Sequence, residues 1–161
     1  GWGRCVMATV IRGDDNFDTA LKAGQVAFAA KFLADGWVAL SANGKVAFSN
    51  DSDGASFDTD GAFNTTTSLY TAPTTGLYTF WASIYTGGGT GTNAFAFYIN
   101  GTEADVSNSA ARWAYSEQSN EKNYNFSITL ELSANDTMGV YATQSSRFYK
   151  GFSSFGGYRV R

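Results

Sequence analysis

Histidine is missing from the 161 residues of the chain, and this absence restricts the chemistry more than any other feature. Ser-His-Asp and Cys-His catalysis need an imidazole to accept the proton of the nucleophile, so neither mechanism is available. Zinc sites that contain histidine are excluded as well, and a single cysteine cannot supply a thiolate metal cluster. The sequence therefore indicates a protein that is not an enzyme.

Cysteine is almost absent too, since Cys5 is the only one in the sequence. One cysteine cannot form a disulfide within the chain. Two interpretations stay open. Cys5 is a free thiol on a loose arm, or it forms an interchain disulfide between subunits, as an odd cysteine in a secreted chain suggests.

Basic residues and long apolar runs are also scarce. The sequence has 11 Lys and Arg against 14 Asp and Glu, its net charge is −3, and the basic residues occur singly. Because phosphate contacts need clustered Lys and Arg, we expect no nucleic-acid partner. No apolar run approaches the roughly 20 residues of a membrane-spanning helix, so we expect no membrane insertion.

Apolar residues (43%), aromatic residues (16%) and 18 glycines are what the sequence has in quantity. Residues 25–161 form short apolar or alternating stretches separated by Gly, Asn, Asp and Ser, which is typical of strands in a sandwich or barrel. We predict strands at 25–32, 44–49, 68–71, 76–85, 95–99, 126–132, 138–143 and 151–160. Residues 1–24 lack this pattern, and we treat them as an N-terminal arm.

Alternation within two of these stretches predicts which side chains face the core. Since successive side chains of a strand point to opposite faces, the apolar set belongs inward. That set is Tyr78, Phe80, Ala82 and Ile84 in one stretch, and Phe126, Ile128, Leu130 and Leu132 in the other. Asn100-Gly101 follows residues 95–99 and is a strong hairpin signal.

Residues 70–80 read YTAPTTGLYTF, and this order of residue types resembles the signature of the globular head of complement component C1q. That signature is an aromatic residue, Thr-Ala-Pro, two residues, Gly, one residue, Tyr, one residue and Phe. Further stretches match in order: FYING at 97–101, LELSAND at 130–136 and SFGGY at 154–158. Asn135 stands where the family has Gly, and Asn also tolerates a left-handed turn. The resemblance covers residues 25–161.

The resemblance implies an all-β fold, a ten-stranded jelly-roll sandwich of two antiparallel sheets shared with tumour-necrosis-factor ligands. It also implies a tight homotrimer, which would accommodate the 13 Phe, 9 Tyr and 4 Trp better than a monomer does. Secreted invertebrate members, such as those of bivalves, imply a lectin-like pattern-recognition protein of innate immunity that binds microbial or sialylated glycans. The alternatives are a structural protein of the extracellular matrix and a receptor ligand of the tumour-necrosis-factor type.

Secretion to the extracellular space also agrees with five N-glycosylation sequons, at Asn50, Asn64, Asn100, Asn125 and Asn135.

Two sets of residues combine aromatic rings with polar groups, as sugar-binding sites do. The sets are Arg112, Trp113 and Tyr115 in one stretch, and Tyr141, Arg147, Phe148, Tyr149 and Lys150 in another. A guanidinium would bind the carboxylate of an acidic sugar in a bidentate pair. The alternative for both sets is that their rings pack at the axis or rim of a trimer.

Acidic residues cluster at Asp51, Asp53, Asp58 and Asp60. We favour a solvated turn here, with calcium coordination through carboxylate and carbonyl oxygens as the alternative. The spacing does not match an EF-hand loop. A glycosidase pair is disfavoured, because acid catalysis needs one carboxyl in an apolar pocket that raises its pKa.

Overall fold

The computed structural model describes residues 26–32, 34–49, 57–87, 93–103, 114–116 and 121–161. These residues form twelve β-strands and no helix, so none of them belongs to a helix that could span a bilayer. The arm predicted for residues 1–24 lies outside them. The strands are β1 (Ala27–Ala30), β2 (Trp37–Leu40), β3 (Phe57–Asp58), β4 (Phe63–Asn64), β5 (Leu69–Thr71), β6 (Gly76–Thr86), β7 (Asn93–Ile99), β8 (Thr102–Glu103), β9 (Ala114–Ser116), β10 (Lys122–Leu132), β11 (Thr137–Ala142) and β12 (Ser146–Arg159).

The strands form two antiparallel sheets of six. Sheet one has the order β10-β6-β12-β1-β3, and β2 pairs with one part of β12. Sheet two has the order β4-β5-β11-β7-β8, and β9 also pairs with β7. Sequential strands are often not neighbours, and strands of one sheet are followed by strands of the other. The prediction of an all-β sandwich of two antiparallel sheets is confirmed.

The longest pairing in sheet one joins β6 and β10, which run in register from Gly76 opposite Leu132 to Thr86 opposite Lys122. The inward set predicted for β6 is buried, with at most 1% exposure of any member. The set predicted for β10 belongs to the core or packs against it. Alternation therefore predicted the buried face of both strands correctly.

Aromatic rings fill much of the core between the sheets. Phe155 is fully buried at the centre, and its ring centroid lies 4.9 Å from that of Phe28 and 5.7 Å from that of Phe48. Phe28 also stacks on Tyr70 of sheet two, at 4.8 Å. Phe97 on β7 contacts both Phe126 of sheet one, at 4.8 Å, and Phe155. These ring contacts hold the two sheets together. The burial of large aromatic surfaces is the main favourable contribution of this core to the free energy of folding.

Two predicted turns depend on residues that tolerate positive φ. Asn100 and Gly101 have φ of 50° and 78° and connect β7 to β8, as a two-residue hairpin turn of the primed type requires. Asn135, with φ of 72°, lies in the turn between β10 and β11. The hairpin signal and the tolerance of Asn at this position are both confirmed.

Residues 44–49 differ from the prediction, because they do not form a strand of either sheet. Lys45 makes an isolated bridge with Tyr141, and Ser49 makes one with Lys31. Between them the N–H of Phe48 donates to the carbonyl of Val46, at 3.0 Å, which kinks the segment. Val46 and Phe48 are buried, whereas Ala47 is exposed. The backbone of the segment pairs with its neighbours only at the two bridges.

β12 contains a bulge that the alternation of the sequence does not indicate. Tyr149 pairs with Tyr85 and Ser154 pairs with Ser83, so five steps along β12 correspond to two along β6. The extra residues allow Phe148 and Phe155, an odd number of positions apart, to point into the same core. Inside the bulge, the hydroxyl of Ser153 accepts a hydrogen bond from the N–H of Tyr85 (3.1 Å) and donates to the carbonyl of Tyr149 (2.7 Å).

Candidate functional site

Several of the predicted site residues lie outside the described residues. They are Cys5, Asp51, Asp53, Arg112 and Trp113. Tyr115 is in β9, where it pairs with Ala94 of β7, and only its backbone is described. The ligand-binding prediction for this first aromatic set and the disulfide prediction therefore stay predictions.

Asp58 has a clear local role in the turn between β3 and β4. One carboxylate oxygen accepts from the N–H of Phe63 at 2.8 Å, and the other accepts from the N–H of Ala62 at 3.1 Å. Asp60 is exposed in the same turn. Among the described residues no three metal-ligating side chains come together, and calcium binding by the four aspartates stays a prediction.

In the second aromatic set, successive side chains along β12 point to opposite faces of sheet one. Phe148 points into the core, whereas Arg147 and Tyr149 point away from it on the outer face of sheet one. Lys150 lines a cavity at the edge of the sandwich. Tyr141 lies on β11 in the other sheet, between core residues of that strand, and therefore faces the opposite side of the protein.

The ring of Tyr141 stacks on that of Tyr98, with centroids 4.5 Å apart. Burial raises the pKa of the Tyr141 phenol above its ordinary value of 10.0. The hydroxyl of Tyr98 donates to the side-chain carbonyl of Asn43, at 2.9 Å. This pair forms a separate feature on sheet two, and the structure does not bring Tyr141 together with Arg147 and Tyr149.

Arg147 and Tyr149 instead belong to a cluster that also contains Trp37, Tyr85 and Phe152, called here the aromatic cluster. The guanidinium carbon of Arg147 lies 4.6 Å from the centroid of the Trp37 ring, which is a cation–π contact. Trp37 and Tyr149 meet edge to face at 5.3 Å. Phe152 lies 5.2 Å from Tyr85 and 5.3 Å from Tyr149.

Strand register explains why these residues meet. Trp37 on β2 pairs with Tyr149 on β12, and Tyr149 pairs in turn with Tyr85 on β6. The bulge then brings Phe152 back over the rings of Tyr85 and Tyr149, and the hydrogen bonds of Ser153 hold it there. The cluster thus joins three strands that are distant in sequence.

An acidic group borders the aromatic cluster. The hydroxyl of Tyr85 donates to the Glu121 carboxylate at 2.7 Å. This hydrogen bond, more than burial, raises the pKa of the Tyr85 phenol above its ordinary value of 10.0. The cluster therefore presents ring faces, a guanidinium, a phenol and a carboxylate on one surface, which is the combination that sugar recognition uses.

The outer face of sheet one carries further exposed apolar side chains, of which only Phe152 belongs to the cluster. Among the described residues the large hydrophobic side chains that are exposed are Phe57 (51%), Trp81 (37%), Phe152 (61%), Tyr158 (49%) and Val160 (48%). The first four lie on strands of this sheet, and Val160 directly follows β12. The ring of Trp81 lies against Gly156, where a Cβ would collide with it. Exposed apolar side chains that gather on one face of a soluble protein mark an interaction surface when they form a patch.

Trp37, Tyr85 and Phe152 were not among the residues predicted from the sequence. Tyr85 continues the alternate positions of Trp81 and Ser83 on β6, and this periodicity could have placed it on the outer face. Nothing local to Trp37 or Phe152 could have done so, because their positions depend on the pairing of β2 with β12 and on the bulge.

Among the solved structures similar to this one are two domains that are distant in sequence. The globular domain of zebrafish complement 1qA protein superposes with a TM-score of 0.60 and 15% identity, covering 84% of this chain and 98% of that one. Eiger TNF from S. frugiperda superposes with a TM-score of 0.54 and 16% identity, covering 86% of this chain and 92% of that one. No protein-family model matches the sequence, and no curated protein is similar to it. Likeness at this level of identity shows the fold.

Proposed function

Because this chain has the jelly-roll fold of C1q and tumour-necrosis-factor domains, we propose that it is a secreted, trimeric, non-enzymatic recognition protein that binds carbohydrate. The exposed apolar face of sheet one is the observation that carries the assembly part of the proposal. The aromatic cluster at one part of the same sheet supports the carbohydrate part. The resemblance of the sequence extends the proposal to pattern recognition in innate immunity.

Trimerisation accounts for the outer face of sheet one. Aromatic residues are enriched in the buried centre of protein interfaces, and they bury much area for little loss of conformational entropy. Phe57 on β3, Tyr158 on β12 and Trp81 on β6 lie on strands that follow one another across the sheet, with β1 between β3 and β12. On β1, small Ala27 and Ala29 leave this face flat enough for a neighbouring subunit to approach.

A charge placed in the centre of this face tests the assembly. In sedimentation equilibrium we expect the native chain at three times its mass of 17.2 kDa and the Trp81→Glu variant as a monomer. A buried, unpaired carboxylate costs several kcal/mol at an interface. The control is Thr67→Glu, which adds the same charge at an exposed turn of sheet two and should leave the trimer intact. Far-UV circular dichroism of each variant verifies the fold. A native monomer, or a folded Trp81→Glu trimer, would contradict the proposal.

The chemistry of the aromatic cluster supports the carbohydrate part of the proposal. Sugar rings present apolar C–H faces, which pack on aromatic rings, and hydroxyl groups, which hydrogen-bond to carboxylates and phenols. The guanidinium of Arg147 lies over the ring of Trp37, and in this proposal it pairs with the carboxylate of an acidic sugar. Three such clusters on one trimer would bind a repetitive surface far more tightly than one cluster does, because the later contacts are intramolecular.

A glycan array of neutral microbial and sialylated sugars, probed with and without calcium, tests this part. We expect binding by the native chain, a large loss in Tyr149→Ala and a loss restricted to acidic sugars in Arg147→Gln. Arg161→Gln removes the same charge from the exposed C-terminus and should bind as the native chain does. A silent array would refute carbohydrate binding while leaving the trimer untouched. Binding that requires calcium would place the sugar site at a bound metal ion.

A further inference from the structure

A cavity of about 340 Å³ lies at the edge of the sandwich, between β2 and the kinked segment 45–49. Phe32, Val38, Leu40 and Phe148 form its apolar lining, and Lys45 and Lys150 also contribute to its wall. We propose that this cavity binds a small amphipathic anion, namely an apolar chain that ends in a carboxylate. The inference goes beyond the proposed function and does not depend on it.

The apolar lining is packed against rings of the core. The Phe32 ring lies 4.9 Å from that of Phe48 and 5.5 Å from that of Phe148, and both of those rings are buried in the core. Val38 and Leu40, on β2, remain partly exposed beside them. A ligand that covered these side chains would remove their apolar surface from water without any rearrangement, which favours binding. The volume lies within the range of small-molecule pockets, roughly 300–1,000 Å³.

The two lysines come from different parts of the fold. Lys45 belongs to the kinked segment and pairs with Tyr141 of sheet two, whereas Lys150 is on β12 of sheet one. The backbone of Lys150 is held by its N–H, which donates to the carbonyl of Gly36 at 3.0 Å. Two ammonium groups at one cavity attract an anion and disfavour a cation.

No carboxylate belongs to the described lining of the cavity. Asp35 lies against the backbone of Gly151, next to Lys150 in sequence, but it does not line the cavity. The wall therefore has net positive charge beside an apolar surface. This combination selects a carboxylate with an apolar tail over a neutral or cationic molecule of the same shape.

The cavity and the aromatic cluster are on opposite sides of β12. Tyr149 points to the outer face of sheet one, whereas Lys150, the next residue, points to the cavity. A ligand in the cavity would therefore leave both the aromatic cluster and the apolar side chains of the outer face uncovered. This geometry keeps the cavity available in the proposed trimer and separates the two proposals experimentally.

Isothermal titration calorimetry of the full chain with three probes of equal chain length tests the inference. Decanoate should bind, decanol should bind more weakly, and decyltrimethylammonium should not bind. Lys45→Gln and Lys150→Gln should each weaken decanoate binding about tenfold, since a hydrogen bond to a charged group contributes roughly that much. Lys122→Gln, which removes an exposed lysine at the start of β10, is the matched control and should bind as the native chain does.

A second variant tests the place of binding without removing charge. Ala34 is exposed and lines the cavity, so Ala34→Trp should block decanoate while the fold is retained. Amide chemical-shift changes on decanoate addition should centre on Val38, Leu40 and Lys45. Equal binding of decanoate and decyltrimethylammonium would overturn the inference. So would lysine variants that match Lys122→Gln, or shift changes confined to the outer face of sheet one.

Discussion

Replacing Ser153 by alanine should destabilise the bulge of β12. Ser153 is 3% exposed, and its hydroxyl accepts from the N–H of Tyr85 and donates to the carbonyl of Tyr149. Alanine keeps the strand geometry but leaves that N–H and that carbonyl without the partner they have in the native chain. Because this position is buried, water cannot replace the two hydrogen bonds that the Ser153 hydroxyl makes.

The magnitude follows from the cost of an unsatisfied buried polar group, which is about 1–3 kcal/mol. With a urea dependence of about 2 kcal/mol per molar, a loss of this size lowers the unfolding midpoint by about 1 M. The bulge also positions Phe152 over Tyr85 and Tyr149, so Ser153→Ala should weaken glycan binding by the aromatic cluster as well.

Urea unfolding followed by circular dichroism measures the effect, at one fixed protein concentration because assembly would shift the midpoint. Ser41→Ala is the control, since Ser41 is exposed in the loop after β2 and should change stability by less than about 0.5 kcal/mol. If Ser153→Ala unfolded within about 0.5 kcal/mol of the native chain, the hydroxyl would not hold the bulge and the reasoning would be refuted.

Three further changes test other parts of the fold. Phe155→Ala should lower the free energy of unfolding by about 3–5 kcal/mol, because the ring is fully buried among other aromatic rings; a urea midpoint close to the native one would contradict this. Gly157→Ala should cost about 1–3 kcal/mol by thermal unfolding, since its Cβ would lie 2.5 Å from a carbon of the Phe80 ring. The hydrogen bond from Asn100, then that from the N–H of Ser133, lowers the pKa of Asp136 below its ordinary value of 3.8. The stability from Asp136 is therefore present above pH 3.8 and is lost as the pH falls through the lowered pKa. Asp136→Asn should destabilise the protein at neutral pH and flatten the acid limb of an unfolding-midpoint-against-pH curve, and an unchanged curve would show that Asp136 contributes nothing.

The sequence predicted the structure correctly where a pattern is compatible with few local conformations. A strand has only two faces, so the apolar alternation on β6 and β10 was enough to predict which side chains are buried. A left-handed turn admits few residue types, so Asn100-Gly101 and Asn135 indicated their turns. The absence of histidine is a property of composition, so it excludes imidazole-dependent catalysis whatever the fold is.

Sequence reasoning was less successful where the outcome depends on a second strand. Residues 44–49 have the composition of a strand, but the N–H of Phe48 pairs within the segment and only isolated bridges reach its neighbours. Hydrophobic periodicity records which side chains are buried, and it does not record the partner of each backbone group. The strand β2 was missed for the same reason, since its four residues owe their conformation to pairing with β12.

The sequence by itself therefore determined an all-β chain without histidine chemistry, the inward faces of its long strands and the positions of its tightest turns. Only the tertiary structure determined which way the side chains of residues 147–152 face. Pairing with β2 before the bulge places Arg147 and Tyr149 on the outer face and Phe148 in the core. The bulge then brings Phe152 over the outer face, and Lys150 lines the cavity. These assignments depend on register across β2, β6 and β12, and register is a property of paired strands that no single stretch of sequence contains.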